Sequence, residues 1–288
     1  LLAGDAGYAS FLLEGRNKSL LKFPKGILLD YTLQALSEAS NLSALVVVGP
    51  DRLRRRIPSS LAERPVRFLA QGAGFGENIQ NAIETLAERW PAARAIFVTN
   101  DAPLLTGREI DNFYTTACNS DADIVIGLAR ISDADLATPL GRQYRRSVVP
   151  LSDGLYLLAN QVCCSYRVAS ILPTVESFFA LRKQAGTGTL VRTINYALSD
   201  ERPARLLVPW AGVVLAKALW RITGFNCSRL TMQAVERNLE SIIQGAVTVE
   251  LRVVPDARGC WDADTETQLY ELRSLAKLGP KAVTVVTV

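Results

Sequence analysis

Two groups of acidic residues and one lysine are the side chains best suited to chemistry in this chain. The run Ile96-Phe-Val-Thr-Asn-Asp-Ala-Pro-Leu-Leu-Thr106 reads as an apolar strand that stops on Asp101, with Pro103 and a new turn directly after it. Such a run suits a parallel strand covered on both faces, and an acid at its carboxyl end stands where open α/β sheets place their ligands. A second cluster, Trp261-Asp-Ala-Asp-Thr265, follows another strand-like stretch late in the chain. Two carboxylate sites at strand ends, brought together by folding, make a cradle for a hard divalent cation and phosphate oxygens. A single strand-end aspartate is also an ordinary cap or turn residue; two such clusters together point to a cation.

The N-terminal stretch supplies the matching positive charge. Leu2-Ala-Gly-Asp5, followed by Gly15-Arg-Asn-Lys-Ser-Leu-Leu21, reads as a strand opening into a glycine-containing loop that reaches Lys18 before an apolar helix. Backbone amides of such loops, with a cationic side chain, stabilise phosphate oxygens. Read alone, the segment is equally an ordinary βα loop.

Composition removes several chemistries. The 288 residues contain no histidine, which excludes Ser-His-Asp and Cys-His catalysis and His-ligated zinc. Carboxylates, lysine, arginine, hydroxyls and a metal are left to do the work. A net charge of +4, dispersed along the chain, gives no footprint for nucleic acid, and the arginines of Arg52–Arg56 read as a solvated face. The five cysteines are odd in number and form no C-x-x-C, so a reducing cytoplasm is the expected compartment. The first residue is Leu1, inside what reads as a strand already under way, and no cleavable signal is visible.

The elements that must position these residues alternate. Strand signals at 44–48, 66–69, 95–99 and 124–128 are separated by helical periodicity at 28–39 and 77–90. This predicts an α/β fold with a doubly wound, mostly parallel sheet. From 168 to 245 the pattern is nearly all helical, and strand character returns at 246–254. We therefore expect a core over 1–167, a helical insertion over 168–245, and a return to the sheet with a C-terminal helix over 246–288. Within the insertion, Leu206 to Trp220 is strongly apolar with Lys217 its only charge. It falls short of the about 20 apolar residues of a spanning helix. Burial in the insertion is expected, with a homodimer contact or a membrane-surface contact as alternatives.

Taken in order, these motifs resemble the nucleotidyltransferases of GT-A-like fold, and within them the MobA-like (molybdenum cofactor guanylyltransferase-like) NTP transferases. That family opens with Leu-Ala-Gly-Gly, carries a lysine before Ala-Leu-Leu, and closes on Asp-x-Asp-Thr-Pro-x-x-Leu. The chain has Leu2-Ala-Gly-Asp5, Lys18-Ser-Leu-Leu21 and Asp262-Ala-Asp-Thr-Glu-Thr-Gln-Leu269. Asp5 replaces the second glycine, the arginine after the loop glycines is missing with Arg16 as its substitute, and Glu266 stands where proline is frequent.

The resemblance implies an Mg²⁺-dependent transfer of NMP from an NTP to a phosphorylated acceptor, with release of pyrophosphate. It implies that Asp101 with Asp262 or Asp264 holds Mg²⁺, and that Lys18 binds the α-phosphate or the leaving pyrophosphate. Ala3, Gly4 and Arg16 would also face the nucleotide. Gly72-Ala-Gly-Phe-Gly76 follows a strand and precedes a helix, but Glu77 stands where a dinucleotide fingerprint needs its third glycine. In the family this region lines the base pocket, which makes Gln71, Gly72 and Asn78 candidates, with helix capping as the other role for Asn78. GTP or CTP is the expected nucleotide. Asn160, after the Asp153-Gly154 hairpin signal, is the candidate for holding the acceptor. A glycosyltransferase using a nucleotide-sugar and a degenerate, non-catalytic nucleotide-binding protein are the alternatives. The late position of Asp262-Ala-Asp264 opposes the first, and Asp5 favours the second.

Overall fold

The computed structural model describes residues 1–2, 13–14, 16–174, 176, 217–226 and 228–278. Ala3, Gly4, Asp5, Cys227 and residues 206–216 of the apolar run lie outside them. The strands are β1 (Lys22–Phe23), β2 (Gly26–Ile27), β3 (Leu45–Gly49), β4 (Ser60–Leu61), β5 (Arg64–Ala70), β6 (Ala95–Val98), β7 (Ile124–Ile131), β8 (Val149–Leu151), β9 (Gly154–Cys164) and β10 (Val249–Val254). The α-helices that lie wholly within the described residues are α1 (Leu28–Glu38), α2 (Phe75–Ala87), α3 (Gly107–Cys118), α4 (Asp133–Ala137), α5 (Pro139–Tyr144), α6 (Met232–Ile242) and α7 (Glu266–Leu278).

Leu2 sits at the middle of the sheet, bridging Val48 of β3 and Thr99 after β6, both in parallel. β3 continues outward to β5 in parallel, and on the other side β6 leads to β9, β7 and β10. The α/β sheet is thus mixed: β7 and β10 pair in parallel, whereas β9 runs antiparallel to β6 and β7. All five residues of β3 are buried, as a strand covered on both faces requires.

Alternation along β7 divides the core. Val125, Ala129 and Ile131 face a cluster with Phe113 of α3, Leu140 of α5 and Leu269 and Leu272 of α7. Ile126 and Leu128 face Val235 and Leu239 of α6. Helices α1, α3, α5 and α7 therefore cover one face, and α2 and α6 the other. Gly107, at the start of α3, approaches the end of α1 so closely that a Cβ there would lie 2.6 Å from the Ala39 nitrogen. Arg64 closes the same helix end by donating to the Leu36 and Ser37 carbonyls at 3.2 and 2.7 Å.

Strand β9 is the element the periodicity did not mark. Its ladder with β7 shifts register between Ile126 and Leu128, and Asn160 in that stretch adopts φ 54°. This bulge breaks the alternation by which a strand is recognised. The hairpin before it is present but centred one residue earlier than its sequence signal, since Leu151 pairs with Gly154 across Ser152 and Asp153. Between β9 and β10 the described residues hold no strand. Trp220, the last residue of the apolar run, is 1% exposed and packs into the core with Arg145 5.6 Å over its ring. Among the described residues no helix is long and apolar enough to cross a membrane.

Among the described residues β10 forms the sheet edge, and α6 covers it in an unusual way. Glu240 accepts from the Val249 amide at 2.9 Å and Glu236 from the Leu251 amide at 2.8 Å. Four helical residues advance about 6 Å and two strand residues about 6.6 Å, so glutamates one turn apart match alternate outward N–H groups. An uncovered edge is a template for pairing with another chain. Replacing both glutamates, Glu236→Ala with Glu240→Ala, should cost about 1–3 kcal/mol for the two bonds. It should also produce concentration-dependent self-association in analytical ultracentrifugation, and a double variant that stays monomeric with unchanged stability would contradict this.

Candidate functional site

The site begins where β6 ends. The chain turns at Thr99–Asp101, and buried Asn100 anchors the turn: its carboxamide donates to the Ser19 hydroxyl, and its carbonyl accepts from Thr32 Oγ1 at 3.4 Å. The Ser19 amide donates to Asn17 Oδ1 at 2.8 Å, and both side chains are buried. These three polar side chains hold the 3₁₀ turn Lys18–Leu20 against the strand end. Lys18, between them, donates to Asp101 Oδ2 at 3.1 Å and to Asp264 Oδ1 at 2.5 Å.

The segment after β10 brings the second acidic cluster to the same place. The Ala263 amide donates to the Asp101 carbonyl at 2.9 Å. Tyr144 of α5 donates through its hydroxyl to the Asp262 carbonyl and meets the Trp261 ring edge-on, with centroids 4.9 Å apart. Gln268 Oε1 accepts from the Asp264 and Thr265 amides at 3.0 and 2.8 Å, while Thr265 Oγ1 accepts from the Gln268 amide at 3.2 Å. This is a reciprocal cap at the start of α7, and it fixes the backbone of Asp264.

Upstream, Gly259 is clamped from two sides. Its amide donates to Glu109 Oε1 at 3.0 Å, and its carbonyl accepts from Asn160 Nδ2 at 3.2 Å. A Cβ at Gly259 would lie 2.9 Å from Leu105 Cδ1 and 3.3 Å from the Ala159 carbonyl oxygen, so only glycine fits without displacement.

The result is three carboxylates, Asp101, Asp262 and Asp264, with oxygens all within 4.8 Å of one another. Burial, and then the neighbouring Asp101 and Asp264, push the Asp262 carboxyl up to about 8 against the pull of Lys18. Burial by itself would lower the Lys18 ammonium, but the two carboxylates outweigh it and hold the group charged. Asp101 Oδ1 is buried with no hydrogen-bond partner. An all-oxygen set with one orphaned acceptor fits a hard divalent cation such as Mg²⁺ or Mn²⁺.

Of the residues expected from sequence, Lys18, Asp101, Asp262 and Asp264 meet at this point. Arg16 is exposed, its amide paired with the Leu13 carbonyl at 2.9 Å. Gln71 and Gly72 lie between β5 and α2, and Asn78 lies in the first turn of α2. There Asn78 Oδ1 accepts from the Gly72 amide at 2.6 Å and Glu77 Oε2 from the Ala73 amide at 2.7 Å, while Glu176 accepts from the Gly76 amide. Asn78 thus binds the loop before the helix, neither free nor at the N-cap, which is Gly74. Asn160 turns its carboxamide donor to Gly259. Tyr144, Glu109, Gly259 and Gln268 were not marked from sequence, although Thr106–Glu109 and Thr265–Gln268 carry the Thr-x-x-Glu/Gln capping signature.

Glu109 offers a direct check on the clamp. It accepts from the Thr106 amide and hydroxyl as well as from Gly259, and burial, then nearby Asp256, raise its carboxyl from 4.5 to about 7. A raised carboxyl contributes stability that is present below pH 4.5 and lost as pH rises through about 7. Glu109→Ala should cost about 1–3 kcal/mol at pH 5 by stranding buried N–H groups. The gap from wild type in urea denaturation should narrow by pH 8, and a gap that widens with pH would contradict the assignment.

Comparison with known proteins places the site in context. A structure described as a hypothetical transferase from Thermus thermophilus superposes with a TM-score of 0.61 at 22% identity, covering 93% of this chain and 96% of that one. A CMP:2-keto-3-deoxy-manno-octonic acid synthetase in complex with CTP gives 0.52 at 10% identity, covering 96% and 97%. A 4-diphosphocytidyl-2C-methyl-D-erythritol synthase from Anaerococcus prevotii gives 0.50 at 10% identity, covering 96% and 95%. At these identities the likeness establishes the fold, that of the GT-A-like nucleotidyltransferases. A search of curated proteins found no match. The sequence pattern of the MobA-like NTP transferase domain matches residues 1–173, well over half of the chain, and the chain belongs to that family.

Proposed function

We propose that the protein is a divalent-metal-dependent nucleotidyltransferase that moves NMP from an NTP to a phosphorylated acceptor and releases pyrophosphate. The observation that carries this reading is the convergence of Lys18 with Asp101, Asp262 and Asp264 at the carboxyl end of β6. The reaction suits a chain without histidine, because the attacking phosphate is already an anion and needs no general base. What it needs is alignment and neutralisation of charge.

Asp101, with Asp262 or Asp264, would hold the Mg²⁺, which when bound supplies Lewis-acid neutralisation of the triphosphate oxygens. Lys18 would bind the α-phosphate or the leaving pyrophosphate and stabilise the charge developing there. Gln71, Gly72 and Asn78, on the same carboxyl side of the sheet, would bound the base, and Asn160 would bound the acceptor. GTP and CTP are the favoured nucleotides, the first from the family and the second from the CTP-bound and cytidyl-named structures of like fold. The four free cysteines among the described residues agree with a cytoplasmic setting.

A second reading, nucleotide binding without turnover, draws on the loop at Gly72–Gly76, whose Gly72, Ala73 and Gly76 amides are already taken by Asn78, Glu77 and Glu176. Calorimetry with the four NTPs, with and without Mg²⁺, followed by a pyrophosphate-release screen over phosphorylated acceptors, separates the two. Turnover should require Mg²⁺, and Asp101→Ala should lower it about 100- to 1,000-fold with an intact fold by circular dichroism. Full Mg²⁺-dependent activity in that variant would remove Asp101 from the metal site. Binding of an NTP with no pyrophosphate release from any acceptor would favour the second reading.

A further inference from the structure

We propose that Lys18 is a built-in competitor for the divalent cation, so that the free protein binds metal weakly until an anionic polyphosphate draws the ammonium away. The inference rests on the metal reading given above. Lys18 Nζ already bridges Asp101 Oδ2 and Asp264 Oδ1, two of the three carboxylates that would ligate the ion. A hard cation bonds its oxygens at about 2.0–2.6 Å. Seated among these oxygens, it would stand within a few ångströms of the ammonium. Side-chain exposure of 17% for Lys18 and 18% for Asp101 leaves little water to screen the two like charges on that side of the site, while Asp264 is half exposed.

With Lys18 in place, the acceptor left without a partner at Asp101 is Oδ1. The backbone of the lysine is not free to retreat, since Asn17 and Ser19 on either side are buried, the Ser19 amide is held by Asn17 Oδ1, and the Ser19 hydroxyl accepts from Asn100 at the strand end. Its four-carbon stem, however, lets Nζ swing alone. A triphosphate offers that ammonium a new anionic partner as it leaves the carboxylates. Metal and nucleotide then strengthen each other's binding, and linkage makes the effect reciprocal.

The test is Mn²⁺ binding to the full chain without nucleotide, followed by electron paramagnetic resonance. Wild type is compared with Lys18→Met, Lys18→Gln and Lys18→Arg, and Asp101→Asn serves as the control for the site. Circular dichroism checks each fold, and the two neutral variants guard against one of them failing to fold. Lys18→Met and Lys18→Gln should bind Mn²⁺ about tenfold more tightly or better. Lys18→Arg, which keeps the charge, should bind no tighter than wild type. Affinity that is unchanged or weakened in both neutral variants, with binding still lost in Asp101→Asn, overturns the competition and leaves the metal site standing. Absence of Mn²⁺ binding in every variant overturns the metal reading, and the competition with it.

Discussion

Three carboxylates held within 4.8 Å of one another demand a cation, and the site's architecture answers that demand. In the chain by itself the cation is the Lys18 ammonium, which bridges Asp101 and Asp264 while Asp262 is pushed toward its protonated form. Like charges this close repel, most strongly at the largely buried Asp101 and Asp262 and less at half-exposed Asp264, so the cluster persists only because the fold brings its members together. The anchoring bond is long-range in sequence: the Ala263 amide donates to the Asp101 carbonyl at 2.9 Å, tying the return segment to the strand end.

Most of the surrounding structure secures that contact. Helix α3 starts with a Thr106–Glu109 cap whose glutamate also receives the Gly259 amide, so the helix that packs on α1 also positions the acidic loop. The Tyr144–Trp261 contact seats the backbone of Asp262 from α5, and the Thr265–Gln268 cap sets Asp264 at the start of α7. On the other side, Asn17, Ser19 and Asn100 form a buried polar bridge to the Lys18 turn. Buried polar groups of this kind are costly unless fully paired, and here the pairing couples N-terminal turn, central strand and C-terminal loop in one unit.

The sequence made the centre of this site legible because strand-end acids and a loop lysine are local signals. Asp101, Asp262 and Asp264 stood out as strand-end acids, whereas Lys18 took its role from the resemblance to the MobA-like NTP transferases. The α/β alternation was equally plain, since β3, β6 and β7 are apolar runs with helical spacing between them. Strand β9 was not, because the bulge at Asn160 interrupts its period, and with it went the antiparallel step that makes the sheet mixed. The clamp on Gly259 was hidden for a different reason. Glu109, Asn160 and Gly259 are far apart in the chain, and their meeting depends on the packing of α3 and the bulge. The glutamates of α6 that cover the β10 edge are likewise ordinary helix residues until the strand beside them is known.

On the proposed function, the Lys18 and carboxylate cluster is where a divalent cation and a nucleotide triphosphate meet. Anomalous diffraction from crystals soaked with Mn²⁺ and either GTP or CTP tests it most directly. One strong peak should be bounded by Asp101 with Asp262 or Asp264, with triphosphate density against the Lys18 ammonium, no longer paired with Asp264. Nucleotide bound elsewhere, or a manganese peak away from these carboxylates with the Lys18 bridge intact, would contradict it.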